Sequence, residues 1–517
     1  LEDPTRPKFT PVVVREDLDP VLLTRVEERL WRLPSVVIEK VPLRWYPRAA
    51  VTAHVVGYVG IISPDELDER RSKQDQEIAA LKARIQQARH EFSDEQMPEL
   101  EQLLDRLAIL QRLRSHAETM VGKTGLEAQY EDYLQGEPAI RTWQVNARNE
   151  PVKLLATRAG APGNSVYLNL DAAMQDLAAR LLRGRRGSAV AIDPRDGAVL
   201  TIYGSPSYDP NLFIPRIRSR DWARILNDPA RPLQNRAIRN IYPPGSTFKL
   251  VTSAAGLEAG SITPRTTVSC PGGLQVGSMF KRCWSTHGGG IDLTRALAVS
   301  CDTYYYRAAL KMGPHPVLDT ATMFGLGAPT GIDLPNEHPG RLPTDEWHRR
   351  HHERDWYPGD TANIAIGQGD IAATSLQMAL VAATVANGGT IYQPQVVREI
   401  RSRDGRVVRR WQPKRLRRIP LPPDSIERIR HGLRAAVTNG TAGAAALPNI
   451  AVAGKTGSAE DPPRNLPHAW FVCFAPYDRP QIAVAVMVEN AGHGGENSAP
   501  VAKALMEQYF RSRGITP

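Results

Sequence analysis

The sequence predicts an α+β fold built on an antiparallel sheet, and three observations lead there. Strand-like hairpins stand at residues 188–203 and 469–489, a mostly helical stretch separates them, and 517 residues exceed what one hydrophobic core organises. The last point divides the chain into two regions, one of them large enough to hold a buried cleft.

Composition sets the outer limits. A hydrophobic content of 42% and a charged content of 23% exclude disorder and fibrous classes. The net charge of +10 arises from Arg and Lys dispersed among Asp and Glu, with no basic run interleaved with aromatics, so no nucleic-acid partner is expected. The same charge suits a protein beside anionic lipid and an anionic wall polymer. No run approaches the ~20 apolar residues that span a bilayer, and no signal peptide is visible. Leu1 in place of Met points to a fragment whose membrane anchor lies upstream.

In chain order, residues 36–60 read as short strands, from Val36-Val37-Ile38 through the run around His54 to Val59. Ser63-Pro64-Asp65-Glu66 has the residues of a capping box and should open a helix. Between 68 and 118, Ile78, Leu81, Ile85 and Ala88, then Leu100, Leu103, Leu104 and Leu107, recur at helical spacing on either side of Pro98. That pattern predicts a charged helical hairpin serving as a spacer or partner surface. Pro151 to Gly163 is a connection, after which Val166 to Asp171 leads into a helix near 172–183. The boundary follows near 168, giving a non-catalytic region 1–168 and a catalytic region 169–517. Beyond it, strands 188–192 and 198–203 flank the turn Asp193-Pro194-Arg195-Asp196-Gly197, and strands 469–475 and 481–489 flank Pro476 to Pro480.

Three short motifs carry the chemistry. Tyr242-Pro243-Pro244-Gly245-Ser246-Thr247-Phe248-Lys249 starts a helix whose apolar face continues through Leu250, Val251, Ala254, Ala255 and Leu257. Ser246 and Lys249 therefore share one face, where a desolvated lysine can take the proton of a serine hydroxyl. Ser278-Met279-Phe280-Lys281 has the same spacing without a helical context. Lys455-Thr456-Gly457 follows the strand-like Ile450 to Gly454, whereas Lys123-Thr124-Gly125 opens a helical pattern in the other region. A lysine and a hydroxyl on an edge strand can hold a carboxylate, and Gly457 lets a chain approach the backbone. Ser300-Cys301-Asp302 lies between these two motifs and between two helical runs. Those contexts separate it from Ser207-Tyr208-Asp209, Ser219-Arg220-Asp221 and Ser402-Arg403-Asp404.

Ser-x-x-Lys, Ser-x-Asp and Lys-Thr-Gly in this order resemble the penicillin-binding protein and β-lactamase superfamily. Over nearly the whole chain the likeness is to the class B, elongation-type penicillin-binding proteins. It rests on Arg44 to Gly60, Gly122 to Gly136, Pro206 to Asn211, Tyr242 to Lys249 and Gly359 through Gly369, and on Asp302, where division-type relatives usually carry Asn. The resemblance implies a transpeptidase domain with a five-stranded antiparallel sheet flanked by helices, on an elongated N-terminal pedestal. It also implies a mechanism. Ser246 would attack the penultimate D-Ala carbonyl of a stem peptide ending in D-Ala-D-Ala, or a β-lactam, with Lys249 as base. Ser300 would relay protons and Asp302 would orient. Lys455 and Thr456 would bind the substrate carboxylate beside Gly457, and the N–H groups of Ser246 and Ser458 would form the oxyanion hole. Implied partners are a RodA-type membrane glycosyltransferase and an MreC-type scaffold. The implied place is the periplasmic side of the inner membrane. The chemical alternatives are a β-lactamase, a D,D-carboxypeptidase and a non-enzymatic β-lactam sensor or scaffold.

Three of the four cysteines, Cys270, Cys283 and Cys301, gather around the Ser-x-Asp motif with His287. Thiolates and an imidazole suit a structural zinc, and some elongation-type members bind zinc here through Asp, His and Cys. A disulfide and free thiols are the alternatives. Cys473, within Phe471-Val472-Cys473-Phe474, reads as a core residue, and His348, His351 and His352 read as a solvated surface in preference to a metal site.

Overall fold

The computed structural model describes residues 13–33, 36–38, 43–91, 103–104, 107, 120–137, 139–147, 151–461 and 466–517. At its centre is one five-stranded sheet made of β1 (Gly187–Ile192), β2 (Val199–Ser205), β3 (Ala453–Ala459), β4 (His468–Ala475) and β5 (Ile482–Val488). The strand order is β3-β4-β5-β1-β2, and every neighbouring pair is antiparallel. Both predicted hairpins are present, and β5 joins them by pairing with β1.

The sheet separates two apolar layers because successive side chains point to opposite faces. Val190, Ile192, Trp470, Val472 and Met487 join one cluster, while Ala189, Ala191, Phe471, Cys473 and Val486 join the other. Helices cover both sides: α1 (Ala172–Leu181), α2 (Lys249–Glu258), α3 (Asp302–Met312), α4 (Ser375–Ala386) and α5 (Ala499–Arg511). Met174 and Ala178 of α1 and Leu505, Met506 and Phe510 of α5 lie on the Cys473 side, whereas α2, α3 and α4 lie on the Trp470 side. Each large side chain buried this way contributes about 1.5–3 kcal/mol. Strands buried on both faces explain why β4 and β5 read as unbroken apolar runs. Cys473 is indeed core, its Sγ 3.7 Å from Met506 Sδ.

The N-terminal region departs from the strand reading of 36–60. Among the described residues of this stretch only Val59–Ile61 is a strand, paired antiparallel with Met120–Gly122, while Ala53–Val56 is helical and Val36, Val37 and Ile38 have no regular structure. A short apolar run does not distinguish helix from strand, and Gly57 ends the helix. Its φ is +81°, and a Cβ there would lie 1.9 Å from Thr124 O. The capping box is present: Ser63 N–H donates to Glu66 Oε2 (2.7 Å) and Glu66 N–H to Ser63 Oγ (3.3 Å), opening the helix Pro64–Glu91. Leu103 and Ile85 are buried together with Leu81, Leu104 and Leu107, as two packed arms require. Most of the second arm, including Pro98 and Leu100, lies outside the described residues.

Contacts at several points tie the regions together. Asn211 holds the backbone of Tyr46 from both sides, accepting from its N–H (2.9 Å) and donating to its O (3.0 Å). The strand Ser165–Leu168, at the expected boundary, pairs with Val397–Arg401 of the following region. No described helix is long and apolar enough to cross a membrane.

Candidate active site

Ser246 stands on a 3-10 turn, Gly245–Phe248, that runs directly into α2. Gly245 has φ +56°, a conformation glycine adopts at little cost. A Cβ there would lie 2.7 Å from Ser458 O, so the turn presses against edge strand β3. On its other side Gly245 N–H donates to Gly367 O (2.9 Å). Ser246 is half-buried between these supports, and its hydroxyl has no hydrogen-bond partner among the described residues.

One turn along, Lys249 is wholly buried. Its Nζ donates to Ser300 O (2.9 Å), Ser300 Oγ (3.2 Å) and Asp302 Oδ1 (2.6 Å). Ser300 reaches this position with φ +56°, unusual for a residue bearing a Cβ. Asp302 opens α3, and its second oxygen accepts from Trp284 N–H (3.3 Å). The indole N–H of Trp284 donates to Ser300 O (3.1 Å), closing the loop over the lysine.

Lys455, Thr456, Gly457 and Ser458 lie on β3. The sequence presents Lys455 as a charge for a ligand carboxylate, but the side chain is completely enclosed and its Nζ donates to Thr456 O (3.0 Å). Burial holds its amine well below the usual lysine range, and the charge of Lys249 pushes in the same direction. The hydroxyls of Thr456 and Ser458 form a row on the face of β3 opposite to Lys455. A Cβ on Gly457 would lie 3.0 Å from Pro244 O, so glycine here permits the close approach of strand and turn.

Sequence reasoning missed four neighbours of this row. Thr441 Oγ1 lies 2.7 Å from Thr456 Oγ1, His493 Nδ1 lies 3.3 Å from Ser458 Oγ, Gln368 Nε2 donates to Ser458 O (3.3 Å), and Trp284 covers Ser300. No short motif marks Thr441, His493 or Trp284, and Gln368 lies within the stretch Gly359 through Gly369 that carries the resemblance. The nearest signal is Gly494 after His493, where a Cβ would lie 1.9 Å from Trp470 O.

The matches set aside have local structural roles. Ser278 is exposed in the turn between Gly273–Val276 and Met279–Arg282. Thr124 precedes the short helix Gly125–Gln129, Asp209 caps the turn Pro210–Phe213, Asp221 lies in the first turn of Ser219–Leu226, and Ser402 bonds to Asp404 within a turn.

Cys270, Cys283, His287 and Cys301 come together, their donor atoms all within 4.8 Å of one another. His287 Nδ1 lies 3.5 Å from Cys270 Sγ and 3.6 Å from Cys283 Sγ. Those separations suit a tetrahedron with metal–sulfur bonds of about 2.3 Å and metal–nitrogen bonds of about 2.0 Å. All four cysteines of the chain are free. Hydrogen bonding between Cys301 and Cys283 holds the Cys283 thiol down and the Cys301 thiol up. The backbone N–H of Asp302 lies 3.2 Å from Cys283 Sγ, so the cluster and the Ser-x-Asp loop are one unit.

Residues 187–507 match the family model of the penicillin binding protein transpeptidase domain, and residues 3–81 and 94–168 match that of the penicillin-binding protein dimerisation domain. A peptidoglycan D,D-transpeptidase, MrdA, of Haemophilus influenzae is 33% identical over 98% of this chain and 75% of its own length. The crystal structure of Pseudomonas aeruginosa PBP2 in complex with WCK 5153 is similar at a TM-score of 0.73 and 34% identity, covering 92% of each chain. The structure of the complex between PBP2 and MreC from Helicobacter pylori gives 0.77 at 27% identity, covering 97% of this chain and 85% of that one.

Proposed function

Because the chain belongs to the penicillin-binding D,D-transpeptidases of the elongation type, we propose that Ser246 is the residue through which it cross-links peptidoglycan. The observation that carries this assignment is the arrangement around Lys249, one helical turn from Ser246, buried and bonded to both Ser300 and Asp302.

In this reading Ser246 Oγ attacks the carbonyl of the penultimate D-Ala. Its proton passes to Lys249 Nζ, whose three acceptors hold the ammonium. The N–H groups of Ser246 and Ser458, brought together by Gly245, stabilise the oxyanion. The C–N bond then breaks, the terminal D-Ala leaves with a proton relayed through Ser300, and an ester joins the stem peptide to Ser246. An acceptor amine from a neighbouring strand attacks that ester, forming the new amide and returning the proton to Ser246. Thr456 and Ser458 meet the substrate carboxylate directly, and enclosed Lys455 acts on it through them. β-Lactams enter by the same acylation.

The family resemblance also implies zinc, and the donor set of Cys270, Cys283, His287 and Cys301 fits it. Bound there, zinc would supply structural cross-linking, holding Cys301 and with it Ser300 and Asp302. Metal analysis of protein purified without added zinc should find one equivalent held by this cluster. Absence of metal together with two fewer titratable thiols would identify a disulfide instead. An MreC-type scaffold and a RodA-type glycosyltransferase are the proposed partners, and the periplasmic side of the membrane is the proposed place. The named PBP2–MreC complex supports the first. Exposed Trp143, Leu154 and Leu155 on the pedestal hairpin Ile140–Val145/Pro151–Arg158 offer an apolar surface. A pull-down that keeps both partners after deletion of residues 68–118 would clear the long helical hairpin of that role.

Labelling with a fluorescent penicillin tests the nucleophile. Ser246→Ala should abolish it and Ser278→Ala should not, and an unlabelled native protein would refute acyl transfer. Cross-linking of a lipid II polymer separates transpeptidation from release of D-Ala by water.

A further inference from the structure

The helix Asp345–His352 departs from the solvated surface its sequence suggests. His351 and His352 are exposed, but His348 is 1% exposed. His348 and His352, one turn apart, both reach Asp370: His352 Nε2 lies 2.8 Å and His348 Nδ1 3.4 Å from Asp370 Oδ2. One donor atom from each residue falls within a sphere of mutual distances below 4.8 Å.

The buried imidazole has carboxylates at both nitrogens. Nδ1 faces Asp370, and Nε2 lies 3.5 Å from Asp360 Oδ2. Arg354 forks onto Asp360 (2.6 and 2.8 Å) and also places Nη1 3.2 Å from Nε2. Without metal, a neutral imidazole is satisfied with its N–H at Nδ1 facing Asp370 and its Nε2 lone pair accepting from Arg354 Nη1. A cation bound at Nδ1 would move the N–H to Nε2, where Asp360 accepts it while Arg354 keeps its fork on Asp360, the arrangement in which a metal-bound histidine is steadied by a carboxylate behind it.

We propose that His348, His352 and Asp370 form a binding site for a divalent metal of the zinc class, separate from the cysteine cluster, with Asp360 orienting His348. Two imidazoles and a carboxylate are borderline ligands that suit zinc, and three protein ligands leave a fourth position for water. The site has a structural consequence. Asp370 follows Gly367 by three residues, and Gly367 O accepts the N–H of Gly245 beside Ser246. A metal here fastens the helix to the loop that supports the nucleophile's turn from behind.

The test compares the full-length chain with His352→Ala and Asp370→Asn, both at partly exposed positions. After chelator stripping, zinc is titrated back against a competing colorimetric chelator. The wild type should hold one equivalent more than either variant, with affinity at the extra site falling more than about ten-fold on substitution. Zinc should raise the wild-type unfolding midpoint above its rise in the variants, while the metal-free midpoints agree. Cobalt(II) loading locates the difference: the thiolate charge-transfer band of the cysteine cluster should be the same in all three proteins. Equal zinc equivalents in all three would overturn the proposal, as would loss of the thiolate band in the variants.

Discussion

Lys249 has one acceptor for each proton of an ammonium: Ser300 O, Ser300 Oγ and Asp302 Oδ1. Asp302→Asn keeps the shape and removes the charge, so the penicillin acylation rate should fall about 10²-fold in a protein that still folds. Asp302→Ala leaves a buried cation uncompensated and should also cost roughly 3 kcal/mol in urea unfolding. The pair Ser246 and Lys249 was legible because a spacing of three on a helix fixes which side chains share a face. The enclosure of Lys455 was not, since the segments that close over it lie far away in sequence. His348 shows the same limit: Asp360, Asp370 and Arg354 make it a buried group in a run that looks wholly polar.

At the level of elements, the nucleophile's turn is placed by glycines rather than by its own side chains. Gly367 has φ +71°, and a Cβ there would lie 2.3 Å from Gly245 O. Gly367→Ala should therefore lower stability by at least about 1–3 kcal/mol. It should also slow penicillin labelling, read as a drop in melting temperature and in acylation rate together. A second alanine variant, at open Gly260, should leave labelling intact. The two hairpins of the sheet were readable because turn residues punctuate apolar runs. The segment 53–56 was not, because a short run such as Ala53-His54-Val55-Val56 suits either secondary structure and only the contact of Gly57 with Thr124 decides between them.

Across the whole molecule, the N-terminal region docks through His54, whose Nε2 lies 2.8 Å from Pro232 O and whose ring meets Tyr208 edge-on. Burial pushes its imidazole down to about 4, so the folded state excludes a proton that the unfolded chain accepts near 6.5. Stability from this site is complete above about pH 6.5 and is lost as pH falls toward about 4. Urea midpoints measured across that range should decline less in His54→Gln than in the wild type; parallel declines would assign the acid sensitivity elsewhere. The central sheet has a further consequence, in time rather than in space. Ala483 of β5 pairs with Ile192 of β1, roughly 290 residues earlier. During synthesis the first hairpin must wait, its partner edge open, until nearly the whole chain has emerged. Closing so long a loop is slow, and the waiting strands are exposed to aggregation. Ser246 lies near the middle of the chain, but β3, which faces it, and β4 and β5, which hold β3 in the sheet, all come later, so the enzyme becomes reactive only as its folding ends.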